Sequence, residues 1–264
     1  MTSPLLKQIT SSAKELERIF FENAPFVHIS DTAAFLEHLS LDIDHLLQNH
    51  NGEIYLHEID ELEKYFSRSC NSSIEAKNAY LLGTPIALKG IQESLIFARV
   101  LQEEIGQIYQ VSADLFECVL FAEVQDIGLP FHWDVGEVIV IQLKGSKLWS
   151  IAPNKIAYPT KPFAPSSSQL PLPELNLYTT PESFCVPVDE VEQFVLTPGS
   201  LLYLPRGYWH KTLSVDASIS LTIASIVPPL VDFFSDRIRE HLIRLEKWRQ
   251  PAYPATLSRL LNPE

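Results

Sequence analysis

Glycine and cysteine are both scarce in this chain of 264 residues: nine glycines stand against 19 prolines, and there are three cysteines. Cys70, Cys118 and Cys185 are odd in number, far apart and without Cys-x-x-Cys spacing. That argues against a disulfide framework or a cysteine-built zinc site and for a reducing, cytoplasmic setting. Long apolar runs are missing too. The first twenty residues hold no uninterrupted apolar segment and the runs elsewhere are strand-length, such as Val138-Ile139-Val140-Ile141, so neither a secretion signal nor a membrane span is expected. Positive charge is in deficit, with 20 Lys and Arg against 33 Asp and Glu, a net charge of −13. A nucleic-acid groove or an anionic membrane surface rewards clustered cations, so neither is expected as a partner. What is plentiful is apolar side chain, 46% of residues, which suffices for a sizeable core.

The acidity is local. Residues 1–131 carry 20 acids and 8 bases, whereas 132–228 carry 8 and 6 and 229–264 carry 5 and 6. The acidic half reads as a mainly helical cover over residues 1–110. One helix is expected over Thr32–Leu47, with Phe35, Leu36, Leu39, Ile43, Leu46 and Leu47 on one face and Asp31 as N-cap, and another over Ile91–Ile108. Residues 111–228 read as a β core. Strands are expected at Phe116–Val124, Glu137–Leu143, Lys147–Ile151, Leu201–Leu204 and Ser218–Ser225, with Lys144-Gly145-Ser146 as a hairpin turn. A proline-rich insertion, 153–187, reads as a long loop, either a substrate lid or an inert excursion. The helical period returns over 229–264, where the apolar side could form a homodimer interface and the arginines a solvated face. The whole of 1–264 is read as a single domain.

Among eight histidines the informative ones are His132, in His132-Trp133-Asp134, and His210, 78 residues later. In an extended segment residues i and i+2 share a face, so His132 and Asp134 can hold one metal while Trp133 points away. A histidine from a neighbouring strand would complete a two-histidine, one-carboxylate face with open positions, the donor set used by non-haem Fe(II). Alone, His-x-Asp also fits a surface strand with two polar residues. His38, Asp42 and His45 form a second possible cluster at i, i+4 and i+7, equally compatible with a solvated helix face. Trp133, Tyr203, Tyr208 and Trp209 flank the motifs and suit either substrate contact or buried packing.

The flanks carry a resemblance. The His-x-Asp, the Gln142-Leu143-Lys144-Gly145-Ser146-Lys147-Leu148-Trp149 hairpin and the Pro198-Gly199-Ser200-Leu201-Leu202-Tyr203-Leu204-Pro205-Arg206-Gly207-Tyr208-Trp209-His210 stretch are similar to JmjC-type cupin oxygenases. In particular they resemble the bacterial ribosomal-protein arginine hydroxylases and their eukaryotic ribosomal-oxygenase relatives. It covers roughly residues 80–228 and implies an α+β fold: a double-stranded β-helix of the cupin or jelly-roll type, of about eight strands, with an N-terminal helical cover and a C-terminal helix. It further implies Fe(II) on His132, Asp134 and His210, with 2-oxoglutarate and O2 as cosubstrates. Lys147, fifteen positions after His132, would hold the distal carboxylate of 2-oxoglutarate. A buried dianion needs such a fixed cation.

Thr222, on a strand where Ser218, Ser220 and Thr222 alternate with Ile219 and Leu221, would be a second contact to the cosubstrate. The chain departs from its relatives in Ser200, where they have Asp, and in Cys118, Leu120 and Ala122, which leave the strand before the iron motif without polar cosubstrate contacts. The 54 residues after His210 are also too few for the modules that follow the barrel in ribosomal oxygenases. The implied function is hydroxylation of an amino-acid side chain in a protein or peptide, of basic character given the acidic half. A metal-binding cupin with non-oxidative chemistry and a catalytically inactive binding module are the alternatives.

Overall fold

A computed structural model describes residues 24–29, 36, 39–59, 65–165 and 173–253. It divides into two compact units, Met1–Ile226 and Val227–Glu264. In the first, the elements in chain order are β1 (Phe26–His28), α1 (Ile43–Asn49), β2 (Ile54–Ile59), β3 (Tyr65–Cys70), α2 (Ser73–Leu81), β4 (Ile86–Lys89), α3 (Ile96–Tyr109), β5 (Phe116–Glu123), β6 (Val138–Lys144), β7 (Lys147–Ala152), β8 (Glu192–Leu196), β9 (Leu201–Leu204), β10 (Trp209–Ser214) and β11 (Ser218–Ser225).

All ladders are antiparallel. Eight strands form one sheet in the order β1-β9-β6-β11-β5-β4-β2-β3, and three form a second in the order β10-β7-β8. Strand alternation gives each face of the large sheet its own core. On one face Leu120, Ala122, Ile139, Ile141, Leu221 and Ile223 pack with Leu46 and Leu47 of α1, Ala76 of α2 and Ala98, Leu101 and Ile105 of α3. On the other, Val138, Val140, Leu202 and Leu204 meet Trp149, Ile151 and Leu196 of the small sheet. This two-sheet core under helices is the α+β jelly-roll that the motifs imply.

Among the described residues the acidic half holds strands as well as helices. It contributes β1, β2, β3 and β4 to the large sheet, so the described strands number eleven rather than about eight. Their signal is weak because β4 is four residues long and β3, Tyr-Phe-Ser-Arg-Ser-Cys, is mostly polar. Asp31 and most of Thr32–Glu37 lie outside the described residues. Residues 39–42 are not helical, and α1 starts only where the Asp42 carboxylate accepts the His45 N–H at 3.0 Å. Similarly, α3 starts at Ile96. The preceding Ile91–Glu93 is a separate 3-10 turn that follows Gly90 at φ 73°, and an extended Leu95 breaks the helical run between them. The strands expected at Phe116, Glu137, Lys147, Leu201 and Ser218 all form, within one residue at each end.

The second unit holds α4 (Leu230–Leu242), where Phe233 and Phe234 meet edge to face at 5.4 Å and Arg237 pairs with Glu240. Leu230, Val231, Phe234 and Ile238 stay exposed.

Candidate active site

His210 stands on β10, and His132 and Asp134 are brought to it by an isolated backbone bridge rather than by a regular strand of their own. His132 N–H donates to His210 C=O at 3.0 Å and His210 N–H donates to His132 C=O at 2.9 Å, an antiparallel bridge. The next residue turns its hydrogen bonds the other way: Trp133 and Phe163 exchange N–H to C=O bonds at 3.0 and 3.2 Å. The segment is thus gripped on both edges, and alternation throws His132 and Asp134 to one face and Trp133 to the other. Trp133 is fully buried among Phe163, Phe184 and Trp209, with its indole N–H donating to Lys161 C=O at 2.9 Å. Trp209 and Tyr203 are buried as well, so these aromatics are core and not a substrate grip. Phe163, Phe184 and Ile156 come from the proline-rich insertion, whose described part forms this small core.

The last grip is on Asp134, whose C=O accepts the Gly207 N–H at 3.0 Å. Gly207 sits in the turn between β9 and β10 at φ 81°, and a Cβ there would lie 2.4 Å from Pro159 Cδ. The glycine of the Pro-x-Gly-x-x-His pattern is therefore required by both backbone and space. Gly207→Ala is expected to cost about 1–2 kcal/mol or more from the left-handed backbone alone, read as a lowered urea midpoint, and to weaken metal affinity by freeing Asp134. An unchanged midpoint would contradict this.

The three side chains offer ligand atoms all within 4.8 Å of one another, the one such group among the described residues. His210 Nε2 and Asp134 Oδ2 are 3.5 Å apart. Metal bonds of about 2 Å at right angles separate ligand atoms by about 3 Å, so the set fits a metal after small closure. Both rings are oriented in the same manner. His132 Nδ1 is 2.8 Å from Pro130 C=O and His210 Nδ1 is 3.0 Å from Tyr208 C=O, so each Nδ1–H is held by a carbonyl two residues back and each Nε2 is left as the donor atom. Burial, with help from His210, pushes the His132 pKa down to about 4. Burial opposes ionisation of Asp134, but the His210 hydrogen bond and the two imidazoles outweigh it and lower its pKa to about 2. At neutral pH the site therefore presents a neutral imidazole at His132 and an anionic carboxylate.

Thr222 and Asp134 both line a cavity of about 400 Å3. Its wall also carries Tyr55, His57, Lys89, Glu117, Val119 and Phe121. The phase of β5 differs from the sequence expectation. Its partners across β11 are Glu123 with Ser218, Phe121 with Ser220 and Val119 with Thr222. Glu117, Val119, Phe121 and Glu123 therefore share the cavity face, while Cys118, Leu120 and Ala122 belong to the opposite core. The strand does bring polar groups to this face, two carboxylates, and reading the wrong parity hid them.

Lys147 is 2% exposed. Its ammonium is 3.0 Å from Glu123 Oε1, 3.3 Å from Ser220 Oγ and 5.9 Å from the centre of the Phe121 ring. It is thus a buried cation, as expected, but one with a buried anion at its side that sequence reasoning missed.

His57 was missed too. The period-2 pattern Tyr55, His57 against Ile54, Leu56 on β2 was the available signal. Burial, then the neighbouring His132 and Lys147, lower its pKa to about 4. His38 lies outside the described residues, and Asp42, the middle of the other candidate cluster, is engaged as a helix cap.

These low values carry a pH dependence. In the unfolded chain a histidine takes a proton below about pH 6.5, whereas His57 and His132 do so in the fold only near pH 4. The unfolded state binds more protons between those values, so stability is complete above pH 6.5 and falls as pH drops toward 4, by up to about 2–3 kcal/mol per histidine. Denaturation midpoints of the metal-free protein measured from pH 7.5 to 4.5 check this, and a flat profile would contradict it.

Comparison with known proteins agrees with this picture. Residues 99–233 match the family model described as the JmjC domain. Over 137 residues the chain is 28% identical to an uncharacterised Bacillus subtilis protein, YxbC, covering 52% of this chain and 42% of that one. Over 132 residues it is 32% identical to human ribosomal oxygenase 1, covering 49% of this chain and 18% of that protein. The chain thus spans less than half the length of these relatives. Among solved structures, Escherichia coli YcfD, described as a ribosomal oxygenase in complex with cobalt and 2-oxoglutarate, superposes with a TM-score of 0.58 at 15% identity, over 92% of this chain and 64% of that one.

Proposed function

The chain belongs to the JmjC-domain family, and from that premise we propose that it is an Fe(II)- and 2-oxoglutarate-dependent dioxygenase that hydroxylates an amino-acid side chain in a protein or peptide. The observation that carries the proposal is the His132, Asp134 and His210 cluster, with both imidazole Nε2 atoms pre-set as donors beside a carboxylate. Similarity to ribosomal oxygenase 1, and the cobalt and 2-oxoglutarate in the YcfD complex, support it. Fe(II) with 2-oxoglutarate and dioxygen would supply the oxidising power, coupling hydroxylation to release of succinate and carbon dioxide.

The protein's own part is positional. His132 and His210 hold their ring planes through the Pro130 and Tyr208 carbonyls, so little reorganisation accompanies metal binding. Asp134 lies at the cavity wall with Thr222, whose hydroxyl would orient the cosubstrate, and Lys147 would meet its far carboxylate with the donor that Glu123 and Ser220 leave over. The apolar core of Val138, Val140, Leu202 and Leu204 packs with Ile151, the residue paired with His210, and excludes water beside the site.

We assign the substrate a basic character on the acidity of residues 1–131. The further assignments are a cytoplasmic location, on three free cysteines, and a homodimer through the exposed apolar residues of α4. No helix among the described residues is long and apolar enough to cross a membrane.

Anaerobic loading with Fe(II), followed by measurement of succinate from 2-oxoglutarate in air with and without basic peptides, tests the activity. Absence of succinate under every condition sinks it. A metal-binding cupin with non-oxidative chemistry is the second reading, favoured by the Lys147–Glu123 pair, and the double variant Lys147→Met with Glu123→Leu, which strands no buried charge, would then leave its turnover nearly intact.

A further inference from the structure

Charge around Lys147 does not balance in the way a dicarboxylate ligand needs. Where a lone buried lysine faces a ligand carboxylate, one cation meets one anion. Here the cation already has its anion. Glu123 is fully buried, with one oxygen 3.0 Å from Lys147 Nζ and the other accepting the Ser214 hydroxyl at 2.6 Å. Ser214 Oγ is in turn 2.8 Å from Ser218 Oγ. The carboxylate is therefore held in place rather than merely near. Its position follows from the sheet registers: Glu123 ends β5 opposite Ser218 of β11, and Lys147 begins β7 opposite Ser214 of β10, so the pair joins the two sheets at one end of the sandwich.

Adding the far carboxylate of 2-oxoglutarate to this cluster would bring two anions to one cation in a desolvated place, where an uncompensated charge is expensive. An uncharged ligand tail meets no such penalty. Resting on the proposed cosubstrate site, we infer that Glu123 is a specificity-determining residue that cancels the advantage of a dicarboxylate over a 2-oxo acid with an uncharged far end. The cosubstrate class at this site is then 2-oxo acids chosen by their metal-chelating head, with the tail charge contributing little. Lys147 keeps the cluster neutral and still offers one donor to a tail that carries an acceptor.

The pair also serves as a structural staple, and a staple alone would leave ligand preference untouched. The deciding measurement is calorimetric titration of the Mn(II)-loaded full chain with 2-oxoglutarate and with 2-oxopentanoate, which has the same head and chain length but no far carboxylate. The wild-type protein is expected to prefer 2-oxoglutarate by less than fivefold. In Glu123→Gln, where the amide keeps the shape and leaves the ammonium uncompensated, 2-oxoglutarate should gain at least tenfold and 2-oxopentanoate change by less than threefold.

A wild-type preference of fivefold or more overturns the inference, and so does a Glu123→Gln protein without the selective gain. If that variant fails to fold, the wild-type ratio decides alone. Metal-loaded protein that binds neither acid, in either form, overturns the 2-oxoglutarate reading and this inference with it. Binding of both acids with a strong dicarboxylate preference overturns the inference only.

Discussion

Asp134→Ala is expected to lower divalent-metal affinity at least about a hundredfold and to bring Fe(II)-dependent succinate formation to background. Removing one partner beyond the ligands of a metal site already costs about 10–100-fold, and Asp134 supplies the single anionic oxygen of the cluster. The two imidazoles would remain, oriented by Pro130 and Tyr208, but two neutral donors cannot offset a dication's charge. The fold should survive, because the side chain is 46% exposed and the backbone bond to Gly207 is untouched by the change. Metal titration followed by calorimetry, with circular dichroism as a folding control, reads both effects. A folded variant with metal affinity within tenfold of wild type, or with undiminished succinate, would falsify the assignment of these residues as the metal ligands.

Lys147→Met should produce the largest loss of stability in the molecule, about 3–5 kcal/mol, the usual consequence of stranding one member of a buried ion pair. Glu123 would keep its bond from Ser214 and lose its counter-charge at 0% exposure. The double variant Lys147→Met with Glu123→Leu should recover most of that loss, because apolar replacement of both partners removes the desolvated charge altogether. Urea unfolding of the three proteins gives the coupling energy directly. Were the single variant to cost less than about 1 kcal/mol, the two charges would not be interacting in the buried state that their 3.0 Å separation describes.

The legibility of this molecule in its sequence follows burial. His132, Asp134 and His210 were readable because chemistry fixes their types, and a two-residue spacing has one meaning in extended chain. The ends of β9 and β11 were readable because Pro198-Gly199, Pro205 and Pro228 punctuate them. β5 was located correctly but its facing was not, since it is buried on both sides and its apolar residues do not alternate with polar ones. With the phase lost, nothing marked Glu123 as buried. The strands of the acidic half were hidden differently. β2 and β3 pair as a hairpin that extends the large sheet past the sandwich, so Tyr55 and His57 face a cavity where polar side chains are tolerated, and the apolar contrast that marks a core strand is diluted.

The bridge between Trp133 and Phe163 ties the proline-rich insertion to the candidate metal site. Because Phe163 of the proline-rich insertion is stitched by two backbone hydrogen bonds to the segment carrying His132 and Asp134, it cannot move away without dragging that segment with it and pulling Trp133 out of its aromatic nest. A gate built at Phe163 would disturb the His132–Asp134 segment each time it opened. The wall of the cavity formed by β2, β4 and β5 carries its charge instead as a pair, Lys89 with Glu117 at 3.0 Å.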